Sequence, residues 1–84
     1  MKFIVPFVFK PDNDPKVIAA LVPGEQARVG ELMQQGLIEN MFLASDYKRG
    51  WMVLNVSNRL QAVEVLKSLP LYPYMGVELM ELAQ

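Results

Sequence analysis

The side chains that could do chemistry stand in three short stretches of the sequence. They are Glu39, then Asp46, Arg49 and Trp51, and finally Tyr72 and Tyr74. The sequence has no histidine and no cysteine, which removes the commonest general base, the thiol nucleophile and the commonest transition-metal ligands. Acid–base chemistry would therefore depend on Asp, Glu, Lys or Tyr side chains.

Glu39 is the candidate acid or base for a proton transfer. It stands within a predicted strand in a largely apolar stretch, and a half-buried carboxylate there could take a proton from a ligand and return it. The alternative is a solvent-facing strand residue, because the neighbouring Asn40 and Met41 leave the face undecided. Glu78 invites the same argument, and for it the solvent-facing alternative is favoured.

The other candidates would bind a substrate rather than react with it. Tyr72 and Tyr74 could donate phenolic hydrogen bonds into a pocket, or pack at a subunit interface with their hydroxyls in water. Asp46 and Arg49 could clamp a polar ligand, although Asp46 in a loop more often accepts from local backbone amides and leaves Arg49 solvated or paired with it. Trp51 could stack on a planar ligand or fill a core or an interface.

Four apolar runs predict the strands that must position these residues, at residues 3–9, 37–45, 51–56 and 76–82. The first run is apolar on both faces, which is typical of a central strand. Pro6 within it predicts a bulge or an edge position, because proline cannot donate a hydrogen bond to a ladder. A polar loop at residues 46–50 predicts a hairpin between the second and third strands.

The first connection carries two helical patterns. Asp14 and Pro15 predict the cap and first position of a short helix that ends near Leu21. Pro23-Gly24 then predicts a break, and a second helix runs over about residues 25–35, with Gly36 as its C′ residue. Its apolar stripe consists of Val29, Leu32 and Met33, and Gly30 would let that stripe approach the sheet closely.

The second connection carries one helix. Asn58 predicts its N-cap, and Gln61 three residues later completes a capping-box variant. Its apolar face is formed by Ala62, Val65, Leu66 and Leu69. Pro70 ends the helix, and the two prolines of residues 69–75 predict a stiff, extended connection that aims the two tyrosines.

The element order predicts a single α+β domain over residues 1–84, with the ferredoxin-like βαββαβ topology. In that fold a four-stranded antiparallel sheet carries its helices on one face. The opposite face is also apolar here, so a second subunit is the simplest cover, and we expect a dimeric α/β barrel. A pocket enclosed between the sheet and the helices is expected if the protein is an enzyme.

A family resemblance follows from the residues near the end. Residues 69–75, Leu-Pro-Leu-Tyr-Pro-Tyr-Met, followed by Val77-Glu78-Leu79, resemble the C-terminal signature of muconolactone isomerases. Residues 31–36 resemble the end of the first long helix in those proteins, and residues 46–51 resemble the related YciI-like proteins. The resemblance implies a dimeric α/β-barrel fold, often in larger rings, and a proton shift along an unsaturated lactone without metal or cofactor.

Two functions follow as hypotheses. The first is a cofactor-free isomerase with Glu39 as acid or base and the two tyrosines as positioning groups. The second is a non-catalytic oligomeric protein that binds a small molecule or assists another protein, and a cofactor-free oxygenase is less favoured because histidine is absent. The net charge of −1 and the scattered basic residues argue against nucleic acid, and no apolar run reaches the roughly 20 residues of a membrane span. We expect a cytoplasmic protein whose partners are itself and a small-molecule ligand.

Overall fold

The strands and helices follow the predicted βαββαβ order within residues 1–83, the part of the chain that the computed structural model describes. The elements are β1 (Lys2–Phe9), α1 (Pro15–Gln34), β2 (Ile38–Leu43), β3 (Arg49–Asn55), α2 (Arg59–Lys67), a 3₁₀ turn (Tyr72–Tyr74), β4 (Met75–Val77) and β5 (Met80–Glu81). The antiparallel sheet has the order β2-β3-β1-β4, with β5 also paired to β1. The predicted α+β ferredoxin-like fold is confirmed.

β4 and β5 together form the predicted last strand, interrupted opposite Pro6. The Pro6 carbonyl accepts from the backbone N–H of Glu78 at 3.0 Å, but Pro6 has no N–H with which to return the bond. The register against β1 is the same on both sides of the gap, with Ile4 opposite Met80 beyond it. The bulge or edge position predicted for β1 is therefore wrong: β1 is central, and the proline interrupts its neighbour instead.

The core lies between one sheet face and the two helices. Phe3, Val5 and Phe7 alternate along β1 and are buried there. The helices contribute Leu32, Ala62, Val65 and Leu66 to the same cluster. Each buried aliphatic or aromatic side chain of this size stabilises the fold by about 1.5–3 kcal/mol relative to an exposed one.

α1 is one continuous helix, so the break predicted at Pro23 is wrong. Asp14 caps it as predicted, with its carboxylate accepting from the backbone N–H of Lys16 at 2.9 Å. Pro23 and Ala19, the residue whose carbonyl loses its donor, are both exposed, so water can satisfy that carbonyl. Core contacts on both sides of Pro23 hold the helix together, with Leu21 before it and Leu32 after it.

Two glycines of this connection behave differently from each other. Gly36 has a φ of 77° just past the helix end, which confirms the predicted C′ position. Gly30 is exposed and a β-carbon there would have no atom within 4 Å, so the close approach predicted at Gly30 is wrong. The apolar stripe is also rotated from the prediction, because Met33 is exposed while Leu32 is fully buried.

The capping chemistry of α2 is as predicted. The Asn58 side chain accepts from the backbone N–H of Gln61 at 2.8 Å, and the Gln61 side chain accepts from the backbone N–H of Ser57 at 2.7 Å. These two bonds satisfy donors that the helix start leaves unpaired. The predicted apolar face of α2 is buried in full, including Leu69 just beyond the helix.

The segment from Leu69 to Met75 forms a tight turn and is not extended as predicted. Two backbone bonds close it, from Tyr72 N–H to the Leu69 carbonyl at 3.0 Å and from Tyr74 N–H to the Leu71 carbonyl at 2.9 Å. Proline fixes φ near −65°, a value that a 3₁₀ turn also requires, so Pro73 fits this geometry. Each bond spans three residues, so the segment reverses locally before entering β4.

The second sheet face has no helix on it among the described residues. It presents Ile4, Pro6 and Val8 from β1, Trp51 and Val53 from β3, and Phe42 from β2. Phe42 and Trp51 are paired across the strands and are 56% and 38% exposed. We call this the open face. No helix in residues 1–83 combines the length and the apolar character needed to cross a membrane.

Candidate functional site

A cleft lies at the end of the sheet where β1 finishes. It has a volume of about 690 Å³ and opens to solvent. Residues 8–11 and 47–49 form two of its walls, and the start of α1 forms the third. The buried core of residues 1–83 fills the space between the sheet and the helices, so the prediction of an enclosed active-site pocket there is wrong. An enzyme built on this chain would have to use another site, and the open cleft is the candidate.

Three cationic side chains line the cleft. They are Lys10 on the loop after β1, and Lys48 and Arg49 on the hairpin between β2 and β3. Within residues 1–83, none of the side chains that line the cleft is a carboxylate. Its other lining is mostly apolar, from Val8, Phe9, Ile18 and nearby prolines. Cations around an apolar floor favour a small organic anion.

Backbone hydrogen bonds hold the two walls together. The N–H of Phe9 donates to the carbonyl of Lys48 at 2.9 Å, which ties the end of β1 to the hairpin. The N–H of Lys10 donates to the carbonyl of Tyr74 at 3.0 Å, which ties the loop to the 3₁₀ turn. Phe9 also meets Phe7 edge to face, with ring centroids 6.0 Å apart. The cleft is therefore built on paired backbone rather than on free loops.

The structure places the predicted hairpin residues in different surroundings. Arg49 lines the cleft, whereas Asp46 accepts from the backbone N–H of Lys48 at 2.9 Å and closes the hairpin turn. Trp51 lies on the open face between Pro6 and Phe42. Of these three predicted binding residues, Arg49 alone is at the cleft, and Tyr47 and Lys48 beside it were not predicted as site residues.

Glu39 lies at the opposite end of the sheet from Arg49. Its neighbours on β2 pair with Val53 and Leu54, so about 15 Å of strand separates it from Arg49. Its carboxylate is 3.2 Å from Lys2 Nζ, and 31% of its side chain is exposed. A small ligand in the cleft of one subunit therefore does not reach Glu39, and its role as acid or base stays a prediction from the sequence.

Tyr72 and Tyr74 are not among the residues that line the cleft. Both are half-buried and pack against the core of their own chain. The backbone carbonyl of Tyr74 accepts from Lys10 N–H and from Asn13 Nδ2 at 2.8 Å, and both of those residues line the cleft. The backbone carbonyl of Tyr74, and not the predicted phenolic hydroxyl groups, therefore connects this segment to the cleft.

Glu25 is a buried carboxylate that sequence reasoning missed. It is 7% exposed, and its Oε1 accepts from the backbone N–H of Leu71 at 2.9 Å. Burial raises the pKa of Glu25 above its ordinary value, and the hydrogen bond from Leu71 opposes that rise. The burial of Glu25 could have been predicted from the sequence, because Glu25 continues the helical spacing of the core-facing Ile18, Leu21 and Leu32.

The described residues contain no group of three or more His, Cys, Asp or Glu side chains that could hold a metal ion. The side chains of the cleft are cationic, phenolic, amide or apolar. Such a set binds an anion through hydrogen bonds and charge, and could hold a phosphate or carboxylate group of a ligand.

Comparisons with known proteins agree with this fold. A family model described as muconolactone delta-isomerase matches residues 1–84. Among solved structures, the chain is similar to a crystal structure of muconolactone isomerase, with 24% sequence identity and a TM-score of 0.84. That match covers 100% of this chain and 90% of the other, and at this identity it shows a shared fold. No curated protein matches the sequence.

Proposed function

Because this chain belongs to the muconolactone delta-isomerase family, we propose that it moves a double bond in a small unsaturated lactone or related acid by proton transfer. The observation that carries the proposal is the cleft with Lys10, Lys48 and Arg49 around an apolar floor. Its volume of about 690 Å³ falls in the range of small-molecule sites.

The three cations would bind a carboxylate of the substrate. Lys10 Nζ donates one hydrogen bond to the carbonyl of Pro73 at 3.0 Å, which leaves two N–H donors of the ammonium for a ligand. Arg49 can offer two parallel N–H donors to one carboxylate. The apolar ring of the substrate would then lie on Val8, Phe9 and Ile18.

The proposed reaction is a 1,3 proton shift. A base removes a proton from a carbon next to the double bond, and the electron pair spreads onto the lactone carbonyl oxygen. The proton returns at the far carbon of the three, so the product has the composition of the substrate. A cation beside that oxygen, such as Lys48, stabilises the charge that develops there.

The proton-transfer group has two candidates. Glu39 is the one predicted from the sequence, although about 15 Å of strand separates it from Arg49. Tyr47 lines the cleft itself and is a phenol that can donate or accept a proton. Replacing each separately, as Glu39→Gln and Tyr47→Phe, assigns the step to the variant whose turnover falls by about 100-fold or more.

The experiment is proton NMR of muconolactone with the protein in D₂O. We expect loss of the substrate signals and deuterium incorporation at the carbons that exchange protons. The double variant Lys10→Gln/Arg49→Gln should weaken binding of the substrate at least about tenfold. Lys67→Gln is the matched control, because Lys67 is exposed at the end of α2, away from the cleft lining. No exchange above that in buffer, at high protein concentration, would contradict the proposal.

A second candidate function is non-catalytic binding of a small organic anion. The observation that favours it is the lack of a carboxylate base among the side chains that line the cleft in residues 1–83. It predicts binding of muconolactone or a similar acid by the wild type, and weaker binding by the double variant, without deuterium incorporation. The same NMR samples therefore separate the two functions.

A further inference from the structure

The 3₁₀ turn that follows α2 begins at a backbone N–H that a distant side chain satisfies. Leu71 caps the turn without a side-chain bond of its own. Glu25, 46 residues earlier, supplies the acceptor at 2.9 Å in a buried position. A buried N–H without an acceptor destabilises the fold, because its hydrogen bonds to water are lost and not replaced. The bond to Glu25 therefore favours the conformation in which the turn begins at Leu71.

The α1 surface around Glu25 lies against the same segment. A β-carbon at Gly24 would come within 3.8 Å of Pro70 Cγ, and Arg28 Nε donates to Ser68 Oγ at 3.0 Å. The contact thus extends over one helical turn, with Glu25 as its buried member and Arg28 at its edge. The segment that leads into the turn, residues 68–71, is therefore held against α1 at more than one point.

The other end of the turn holds the cleft. The Tyr74 carbonyl accepts from the backbone N–H of Lys10 at 3.0 Å and from Asn13 Nδ2 at 2.8 Å. The Pro73 carbonyl accepts from Lys10 Nζ at 3.0 Å. Three hydrogen bonds therefore connect the turn to the loop between β1 and α1, and one of them sets the direction of a cationic side chain in the cleft.

We infer that Glu25 is a positioning residue for the cleft, acting through the 3₁₀ turn on Lys10 and Asn13. The path has two steps, from the Glu25 carboxylate to the Leu71 N–H, and from the Pro73 and Tyr74 carbonyls to Lys10 and Asn13. This inference rests on the proposed function only in taking Lys10 as a binding group. The simpler alternative is that Glu25 contributes to stability alone.

The experiment compares Glu25→Leu, which removes the acceptor, with Glu25→Gln, whose amide oxygen can replace it. Glu64→Leu is the matched control, because Glu64 is an exposed helical glutamate on α2. The first readout is NMR of the backbone amides, with hydrogen exchange measured at Leu71. We expect exchange at Leu71 to rise at least about tenfold in Glu25→Leu and to stay within about threefold in the other two.

The second readout is specific to positioning. In Glu25→Leu the amide of Lys10 and the side-chain amide of Asn13 should shift, while the Asn55 amide, at the other end of the sheet, should not. Binding of muconolactone should weaken by about five- to tenfold in Glu25→Leu and be retained in Glu25→Gln. Uniform shifts across the sheet, or unchanged Lys10 and Asn13 signals with Leu71 exposed, would overturn the inference.

Asn13→Ala tests the second step without changing the core, and keeps the inference testable should Glu25→Leu not fold. It removes one bond from the turn to the loop, so the Lys10 signals should shift while Leu71 stays protected. Unchanged Lys10 signals in Asn13→Ala would contradict the second step. Failure of wild-type protein to bind muconolactone would overturn the proposed function, yet the Leu71, Lys10 and Asn13 signals would still decide the positioning role.

Discussion

The ring of Phe7 lies directly against Gly50, its partner on β3. A β-carbon on Gly50 would fall 2.5 Å from Phe7 Cζ and would also collide with the backbone carbonyl of Phe42. The two strands beside Gly50, β1 and β2, therefore approach it more closely than a residue with a β-carbon would allow. This contact sits one residue from Arg49, so the packing of the core and the shape of the cleft are set by neighbouring residues.

Gly50→Ala is expected to destabilise the protein by about 3 kcal/mol or more, because backbone as well as a buried ring would have to move. Urea unfolding followed by circular dichroism measures the change. Gly30→Ala is the control, since a β-carbon there would have no atom within 4 Å. It should stabilise the exposed helix position by about 0.5–1 kcal/mol. Equal effects of the two substitutions would contradict the assigned contact.

Glu39→Gln is expected to change stability by less than about 1 kcal/mol, because the ion pair with Lys2 is largely solvated. The affinity of the cleft for muconolactone should stay within about twofold of the wild type, because about 15 Å of strand separates Glu39 from Arg49 in the cleft. Calorimetric titration with muconolactone and urea unfolding measure the two quantities. The acid–base role further requires turnover to fall by about 100-fold or more, and unchanged turnover would end that hypothesis.

Glu25→Gln is expected to gain stability over the wild type as the pH rises. Burial raises the pKa of Glu25 above its ordinary 4.5, so the folded state favours the protonated carboxyl. That contribution is fully present below about pH 4.5 and is lost as the pH rises through the higher folded-state value. Gln cannot ionise, so its stability advantage over the wild type should grow as the pH rises from 4 to 7.

Urea unfolding at several pH values measures this difference. Within residues 1–83 the Glu25 carboxylate has no ion-pair partner, and the nearby Arg28 is engaged with Ser68 and Glu31. Glu64→Gln is the control, because Glu64 is an exposed helical glutamate on α2. A difference between Glu25→Gln and the wild type that stays constant from pH 4 to pH 7 would contradict the buried-carboxylate explanation.

The open face is expected to mediate self-association. Phe42 on the edge strand β2 and Trp51 on β3 form an exposed cross-strand aromatic pair on this face, and Trp51 is paired with Pro6. Light scattering should give a mass at least twice the 9.5 kDa of one chain. Phe42→Glu/Trp51→Glu should lower that mass toward the single chain, because two charges would have to be buried. Leu60→Glu, at a residue 67% exposed on α2, should leave it unchanged. A wild-type monomer would contradict the expectation.

Local chemistry was sufficient for much of the fold. The Asn58–Gln61 capping box, the Asp14 cap and the left-handed Gly36 each depend on residues within four positions, and each is where the sequence predicted it. The strand order also followed from short apolar runs. Pro23 is the exception, since a local rule predicted a break and core contacts on both sides of it kept α1 continuous.

The sequence by itself determined the element order, the helix caps and the family signature of residues 69–75. Tertiary structure alone decided which side chains meet, because the cleft joins residues 8–11 to residues 47–49, and the 3₁₀ turn joins Leu71 to Glu25. Neither pairing has a period or a spacing that could be read along the chain. Pro73 and Tyr74 of the signature contact the cleft residues through their backbone carbonyls, and those partners are set by the packing of the chain around them.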